Sequence, residues 1–309
     1  MHEPNVLLLD YCSSQWQDES WTEPEEVLRV DQGLRARLGF FIKGAKFRQP
    51  WTIPEPKRAA AGKLKLRFDF ESEFDVKGAK LAIEKPHNTI ILIDDEPVDS
   101  HPDGWWVDRA IKTVALPNLK SGKHTITLEY EYGPLTNLER IYVLGDFGVT
   151  LQGRTARITQ LERSKLEWGD LSRQGLPFYT GNITYRCELH NEDDLSTAIR
   201  VARYAGPTVS IDVDGKRAGP LVHEPYVIEL GGLTQGVHQV DVTLYGSRYN
   251  TFGEIHLVPG KTNWIGADMW RTEFDWWTEE YSLDPLGVVN APRLLKPGKE
   301  VSRLPQRRG

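Results

Sequence analysis

Two clusters of side chains in this 309-residue sequence combine flat aromatic rings with groups that hydrogen-bond hydroxyls. The first is Asp103, Trp105, Trp106, Asp108 and Arg109. The second is Trp264, Trp270, Asp275, Trp276, Trp277, Glu279 and Glu280. An indole face packs on the C–H face of a pyranose and buries area at low entropic cost. Carboxylates and guanidinium groups then orient the hydroxyls in a largely pre-formed pocket. These residues are therefore candidates for contact with an oligo- or polysaccharide. They suit two other roles as well. Trp and Arg anchor protein interfaces, and large aromatics serve burial. Trp105 and Trp106 are neighbours on an extended segment and point to opposite sides, so at most one of them faces a ligand.

Other patterns carry less chemistry. A glycosidase needs two carboxyls opposed across a cleft, about 5–5.5 Å or about 6.5–9.5 Å apart. The pairs Asp94/Asp95, Asp193/Asp194 and Glu279/Glu280 are adjacent in sequence, as turn formers and helix starts often are. The eight His are scattered without metal-ligand spacing, and Cys187 and His190 read as a core thiol beside an exposed ring. No phosphate loop or nucleophile elbow appears, since Gly145–Gly148 has neither the spacing nor a following helix. Two Cys exclude a disulfide framework and a four-thiolate zinc site; Cys12 and Cys187 read as half-buried free thiols, with a single bridge between them as the alternative.

The net charge of −6 gives a nucleic acid no electrostatic help. No run reaches the ~20 apolar residues of a membrane helix. The opening residues lack a basic region and a long apolar core, so the sequence as given reads as cytoplasmic, with secretion open if it is a fragment. Asn182-Ile183-Thr184 is a sequon of a kind common by chance.

The elements that must position these residues are strands. Lys63–Phe70 alternates apolar and polar residues, as do His124–Tyr132, Ile183–Leu189 and Val240–Leu244, and Gly, Pro, Asn and Asp punctuate the runs. One helix is expected after Thr22-Glu23-Pro24-Glu25, a capping-box pattern, with Val27, Leu28, Leu34 and Leu38 on one face and Gly39 at its end. Thr159–Arg173 is expected to be helical or irregular. Regular βαβ alternation is absent.

An internal repeat organises the strands. Ile91–Glu96 resembles Ile211–Lys216, each a strand running into an acidic turn. Leu119–Ile126 resembles Leu233–Val240. Tyr132-Gly133 precedes Asn137 by the spacing with which Tyr245-Gly246 precedes Asn250. Three matched pieces in one order imply two copies of a module of a size that suits a β-sandwich.

These pieces resemble a known family. A strand, a hairpin of the Ile211–Gly219 type, then Leu-x-x-Gly-x-His and an alternating strand is similar to the galactose-binding-like jelly-roll domain of glycoside hydrolase family two and its relatives. Four longer strings resemble the C-terminal region of large bacterial enzymes of that kind: Gly104–Ile111, Ile141–Gly148, Gly175–Tyr185 and Trp277–Gly287. The opening Glu3–Asp10 resembles the point where such enzymes leave an earlier domain. The resemblance spans about 3–290. It implies an all-β chain of two tandem jelly-roll (galactose-binding-like) β-sandwiches with a short N-terminal strand and helix. The expected division is 1–58 as a strand and helix packed on the first sandwich, 59–155 and 156–290 as the sandwiches, and 291–309 as a flexible tail.

The resemblance also implies a role. No segment reads as the ~250-residue barrel that carries the catalytic carboxylates of such enzymes. The expectation is a non-catalytic, carbohydrate-binding accessory region, with a catalytic glycosidase domain or subunit as its partner. The alternatives are a structural interaction module and a glycosidase in its own right. No cofactor is expected beyond a structural calcium, for which Asp94-Asp95 or Asp212/Asp214 could supply oxygens.

Overall fold

The computed structural model describes residues 1–41, 53–192, 196–260, 274–296 and 299–303. The chain forms two compact units. The first holds 5–161 and 253–282; the second holds 1–4, 162–252 and 283–309. Residues 253–282, expected in the second sandwich, therefore belong to the first unit.

The first unit contains strands β1 (Asn5–Leu9), β2 (Tyr11–Trp16), β3 (Glu25–Glu26), β4 (Gly62–Ser72), β5 (Lys80–Glu84), β6 (Thr89–Ile93) and β7 (Glu96–Pro97). It continues with β8 (Gly104–Trp106), β9 (Asp108–Ala115), β10 (Gly122–Tyr132), β11 (Ile141–Gly145), β12 (Gly148–Gln152) and β13 (Thr155–Thr159). One sheet runs β1-β11-β5-β9-β8. The other runs β12-β13-β4-β10-β6-β7, with β2 paired to β4. The alternation read in the sequence sets the inner face: Leu64, Leu66, Phe68 and Phe70 of β4 are buried, while Lys63 before them and Asp69 between the two Phe are exposed. Strand β1 is buried at all five positions although it lies at a sheet edge.

The second unit contains β14 (Ile183–Asn191), β15 (Ser196–Arg200), β16 (Tyr204–Ala205), β17 (Val209–Val213), β18 (Lys216–Leu221), β19 (Val227–Gly232), β20 (Gly236–Leu244), β21 (Gly287–Val288), β22 (Arg293–Lys296) and β23 (Lys299–Arg303). Its sheets run β14-β20-β17-β18 and β19-β15-β22-β23, with β16 and β21 as a separate pair.

The repeat is visible in these orders. The run β4-β10-β6-β7 of the first unit has the connectivity of β14-β20-β17-β18 in the second. Likewise β9-β5-β11 corresponds to β19-β15-β22. The matched sequence pieces make one device twice. Asp94 Oδ1 accepts from the Thr125 amide at 2.8 Å, and Asp94 Oδ2 meets His124 Nδ1 at 2.7 Å. His124 Nε2 lies 2.6 Å from the Lys120 carbonyl. In the second unit Asp214 Oδ1 accepts from the Gln239 amide at 2.9 Å, and Oδ2 meets His238 Nδ1 at 2.6 Å. His238 Nε2 lies 2.8 Å from the Thr234 carbonyl. Each Asp pins a hairpin turn to the neighbouring strand. The turns need positive φ: Asp94 at 52° and Asp95 at 66°, Asp214 at 48° and Gly215 at 75°.

Several expectations are corrected. The helix α1 covers Val27–Arg37 and its cap is Glu26, whose carboxylate accepts from the Leu28 and Arg29 amides. Thr22 pairs with Ser14 instead, and Glu25-Glu26 bridge to Tyr11 and Cys12, so the chain is extended where the capping box was expected. Gly39 does end the helix, at φ 67°. Thr159–Arg173 holds two short 3-10 turns, Arg163–Lys165 and Leu171–Arg173, the second capped by Asp170. The cysteines are fully buried rather than half-buried, and both are free. Arg293–Lys296 and Lys299–Arg303, expected in a loose tail, form β22 and β23, because β22 takes the place in its sheet that β11 takes in the first unit. No helix among the described residues is long and apolar enough to cross a membrane.

Candidate functional site

The first unit carries a cleft of about 250 Å3 lined by the junction of β1 with β2, the outer face of β4, and the turn from Arg154 to Ala156. Tyr281, from the returning segment 253–282, completes it.

Asp10 follows the five buried residues of β1 and is itself fully buried. A carboxylate there is costly unless its oxygens are matched. Tyr281 donates its hydroxyl to Oδ1 at 2.7 Å, and His256 Nε2 meets Oδ2 at 2.9 Å. The other ring nitrogen of His256 donates to the Thr278 carbonyl at 2.9 Å, which fixes a proton on Nδ1. Trp277 stacks on His256 with ring centroids 4.7 Å apart, and Arg29 sits over the Trp277 ring at 4.7 Å. A short antiparallel bridge, Leu257 to Trp277, holds the two halves of the returning segment together.

Glu26 lies behind this group and is also buried. Its Oε2 caps α1, accepting from Leu28 and Arg29 at 3.0 and 3.1 Å. Its Oε1 is 3.7 Å from Arg140 Nε. Burial pushes the Glu26 carboxyl up to about 7; Arg140 pulls the other way, and the nearby Asp10 adds to the rise. Burial works against the Arg140 charge, but Glu26 and Asp10 outweigh it and hold that guanidinium above its ordinary value. Burial, then Glu26 and Asp10, push the Cys12 thiol well up, so it is inert as a nucleophile.

A pH dependence follows. Unfolded, Glu26 titrates near 4.5; folded, it keeps its proton to about 7. Between those values the unfolded chain binds fewer protons, so stability falls as pH rises, by up to about 1.4 kcal/mol per unit. Glu26→Gln keeps the acceptor oxygen for the helix amides and removes the titration. Urea unfolding at pH 5 and pH 7.5 is expected to show a steeper loss for the native chain than for the variant. His238, held above its ordinary value mainly by Asp214, also loses stability as pH rises, but in both proteins alike.

The open part of the cleft is polar and aromatic. Tyr11 donates its hydroxyl to the Glu279 carbonyl at 3.0 Å. Arg154 sits over the Tyr11 ring at 5.4 Å and reaches a Glu279 carboxylate oxygen at 3.5 Å. Arg67, on β4, sits over the Trp21 ring at 4.8 Å. Asp69, two residues along β4, accepts from the Thr125 hydroxyl at 2.8 Å. Burial, then Asp10, pushes the Tyr11 phenol upward, and burial and Asp10 do the same to Tyr281, so both stay protonated donors.

The expected site residues scatter around this cleft. Glu279 touches the lining residues Tyr11 and Arg154, and Trp277 stacks on His256; neither lines the cleft itself. Asp275 is exposed, and Trp276 accepts the Val258 amide through its carbonyl. Trp264 and Trp270 lie outside the described residues. The other cluster lies on the β8–β9 hairpin. Trp106 is buried against Tyr142, centroids 5.1 Å apart, while Trp105 is 55% exposed. Asp108 caps its own turn by accepting the Ala110 amide, and Arg109 is exposed. Val107, between Trp106 and Asp108, adopts φ 61°, which is strained for a β-branched residue. Asp103 accepts from the Thr113 hydroxyl and pairs with Lys80, which hold its carboxyl below the usual range.

Sequence reasoning missed Asp10, Tyr11, Arg67, Arg154, His256 and Tyr281. One signal was present: a carboxylate and a phenol directly after the apolar run Val6–Leu9. The aspartates considered for calcium do not make a set. Asp94 and Asp214 are engaged by His and backbone amides, and Asp212 by Arg217 at 3.2 Å. Among the described residues no group of three or more His, Cys, Asp or Glu converges for a metal.

No known family model and no curated protein matches the sequence. Among solved structures, a rhamnosidase from Novosphingobium sp. PP1Y is similar at 14% identity and TM-score 0.30, over 78% of this chain and 23% of that one. An alpha-L-rhamnosidase from Streptomyces avermitilis is similar at 14% identity and TM-score 0.29, over 78% and 25%. A Beta-D-Mannosidase from Dictyoglomus thermophilum is similar at 10% identity and TM-score 0.26, over 97% and 35%. The chain spans between 23% and 35% of the length of these three, and likeness at this level carries no functional argument.

Proposed function

We propose that the chain is a non-catalytic, carbohydrate-binding accessory region of a family-two-like glycoside hydrolase. The observation that carries this reading is the first-unit cleft. It sets Tyr11 and Tyr281 beside Arg67, Arg154 and Asp69, the mixture of ring, cation and carboxylate that a sugar requires. The resemblance of Glu3–Asp10 and Trp277–Gly287 to such enzymes supports it, since those strings supply Asp10 and Tyr281. Both Asp10 oxygens are committed to Tyr281 and His256, so that carboxylate is not free to act as a glycosidase acid or nucleophile.

Titration calorimetry of the intact chain against plant and host oligosaccharides tests the reading. Binding that weakens in Arg154→Ala and survives in Trp105→Ala supports it and places the ligand in the cleft. Silence across the panel overturns it. Turnover of aryl glycosides by the pure chain overturns its non-catalytic part. A second reading, a structural module docking on a catalytic partner, is favoured by Trp105 and Val107, exposed side by side at 55% and 37%. Copurification with a barrel protein that is lost in Trp105→Asp supports that reading.

A further inference from the structure

The cleft holds a cation without a counterpart. Among the described residues none of the Arg67 guanidinium nitrogens makes a hydrogen bond, no carboxylate lies within 4.0 Å of them, and Nε is buried. A native structure seldom leaves such a donor unmatched, and an unmatched one asks for a cause. Arg67 is also held still. Its guanidinium lies over Trp21 at 4.8 Å, and its strand is paired on both sides, to Ser13 of β2 and to Thr127 of β10. Fixing a long side chain on an aromatic face removes in advance the entropy that a ligand contact would otherwise cost.

The neighbouring groups sharpen the ligand's chemistry. The carboxylates of the cleft already have partners: Asp10 has Tyr281 and His256, and Asp69 has Thr125. Arg154, also over an aromatic ring, has only a 3.5 Å contact with an exposed Glu279 carboxylate. Two guanidinium groups, one unpaired and one loosely paired, thus face one small cleft. A planar fork of N–H donors matches a carboxylate better than a single hydroxyl. The volume of about 250 Å3 lies below the range of drug-sized pockets, about 300–1,000 Å3, and suits one residue of a chain.

We infer that the cleft binds an acidic saccharide, with the carboxylate of one uronic-acid residue on Arg67 and Arg154. This rests on the carbohydrate-binding reading above and adds the ligand's charge. No bond is made or broken. The charge lies on the ligand, so the contact weakens with salt.

The test compares uronic-acid oligosaccharides with their methyl esters, which keep the ring and remove the charge, by titration calorimetry of the intact chain. The acid is expected to bind about ten- to a hundredfold more tightly than the ester, the range for a hydrogen bond to a charged group. Arg67→Met is expected to erase that preference, and Arg67→Lys to restore part of it, since it returns the charge without the fork. Arg67 has no hydrogen-bond or ion-pair partner to lose, and Met or Lys can still lie over Trp21, so both variants are expected to melt close to the native chain, which separates a binding role from a structural one. Equal affinity for acid and ester overturns the inference and leaves the carbohydrate reading standing. An acid preference unchanged in Arg67→Met overturns the placement on Arg67. Silence toward acids, esters and neutral sugars overturns both.

Discussion

Asp10→Ala lowers the thermal midpoint of the first unit by roughly 10 °C, a loss of about 3–5 kcal/mol at about 2–4 °C per kcal/mol. Asp10 is the common acceptor for Tyr281 at 2.7 Å and His256 at 2.9 Å. Its removal strands two donors at once, and His256 is 1% exposed. The Glu26–Arg140 pair close by also loses a charge that holds the Arg140 guanidinium up. Asp10→Asn costs less than half as much. Its oxygen still accepts from Tyr281, and its amide nitrogen stands where it faces His256 Nε2. Calorimetry gives the midpoint. Hydrogen exchange at the Thr278 amide, which donates to the His256 carbonyl at 2.9 Å, reports whether the returning segment has come loose. Unchanged exchange in Asp10→Ala would show that Asp10 does not hold it.

Arg35→Met destabilises by about 3–5 kcal/mol for a different reason, the loss of one half of a buried ion pair. Arg35 is 1% exposed and Asp31 fully buried, one helical turn apart on α1. The Arg35 Nε donates to both Asp31 oxygens, at 3.1 and 2.9 Å. Its other nitrogens donate to the carbonyls of Phe41, Pro134 and Thr136, so one side chain gathers the helix end and the loop after β10. Tyr132 donates its hydroxyl to Asp31 at 2.8 Å. With Met at 35, the buried Asp31 carboxylate loses its guanidinium partner. Combining Arg35→Met with Asp31→Leu recovers a large part of the loss, because an apolar pair of similar volume dispenses with the charge. Urea unfolding of the single and double variants measures this. A double variant as weak as the single one would show that the carbonyl contacts, not the stranded Asp31, carry the cost.

What could be read from the sequence depended on whether the determining residues were neighbours. The duplicated hairpin was legible because its chemistry is local: a turn at positive φ needs Asp or Gly, and His124 and His238 each lie four residues after the carbonyl they bind. The alternation of β4 was legible for the same reason. The helix cap was not, because Thr22-Glu23-Pro24-Glu25 has the right residue types and the choice of Glu26 is made by the pairing of Glu25-Glu26 with Tyr11 and Cys12. Trp106 and Trp105 were separable only as one in and one out; which was which depends on Tyr142 in another strand. The cleft was illegible for the strongest form of that reason. Arg67, Arg154 and Tyr281 have no motif in common, and only the fold brings them to Tyr11. The buried Asp31–Arg35 pair was hidden differently: one turn apart on a helix, it reads as an ordinary solvent-facing salt bridge.

The return of residues 253–282 to the first unit has a consequence for synthesis. Asp10 and the Tyr281 hydroxyl that satisfies it are 271 residues apart, and the whole β14–β20 copy is made between them. At about 5–20 residues per second a ribosome takes roughly 15–55 s to cover that distance. For that interval the nascent first unit has its sheets but not its clasp. The earlier copy therefore finishes only after strands β14–β20 of the later one have been translated, and a chaperone or protease that acts during translation meets the Asp10 end of β1 open.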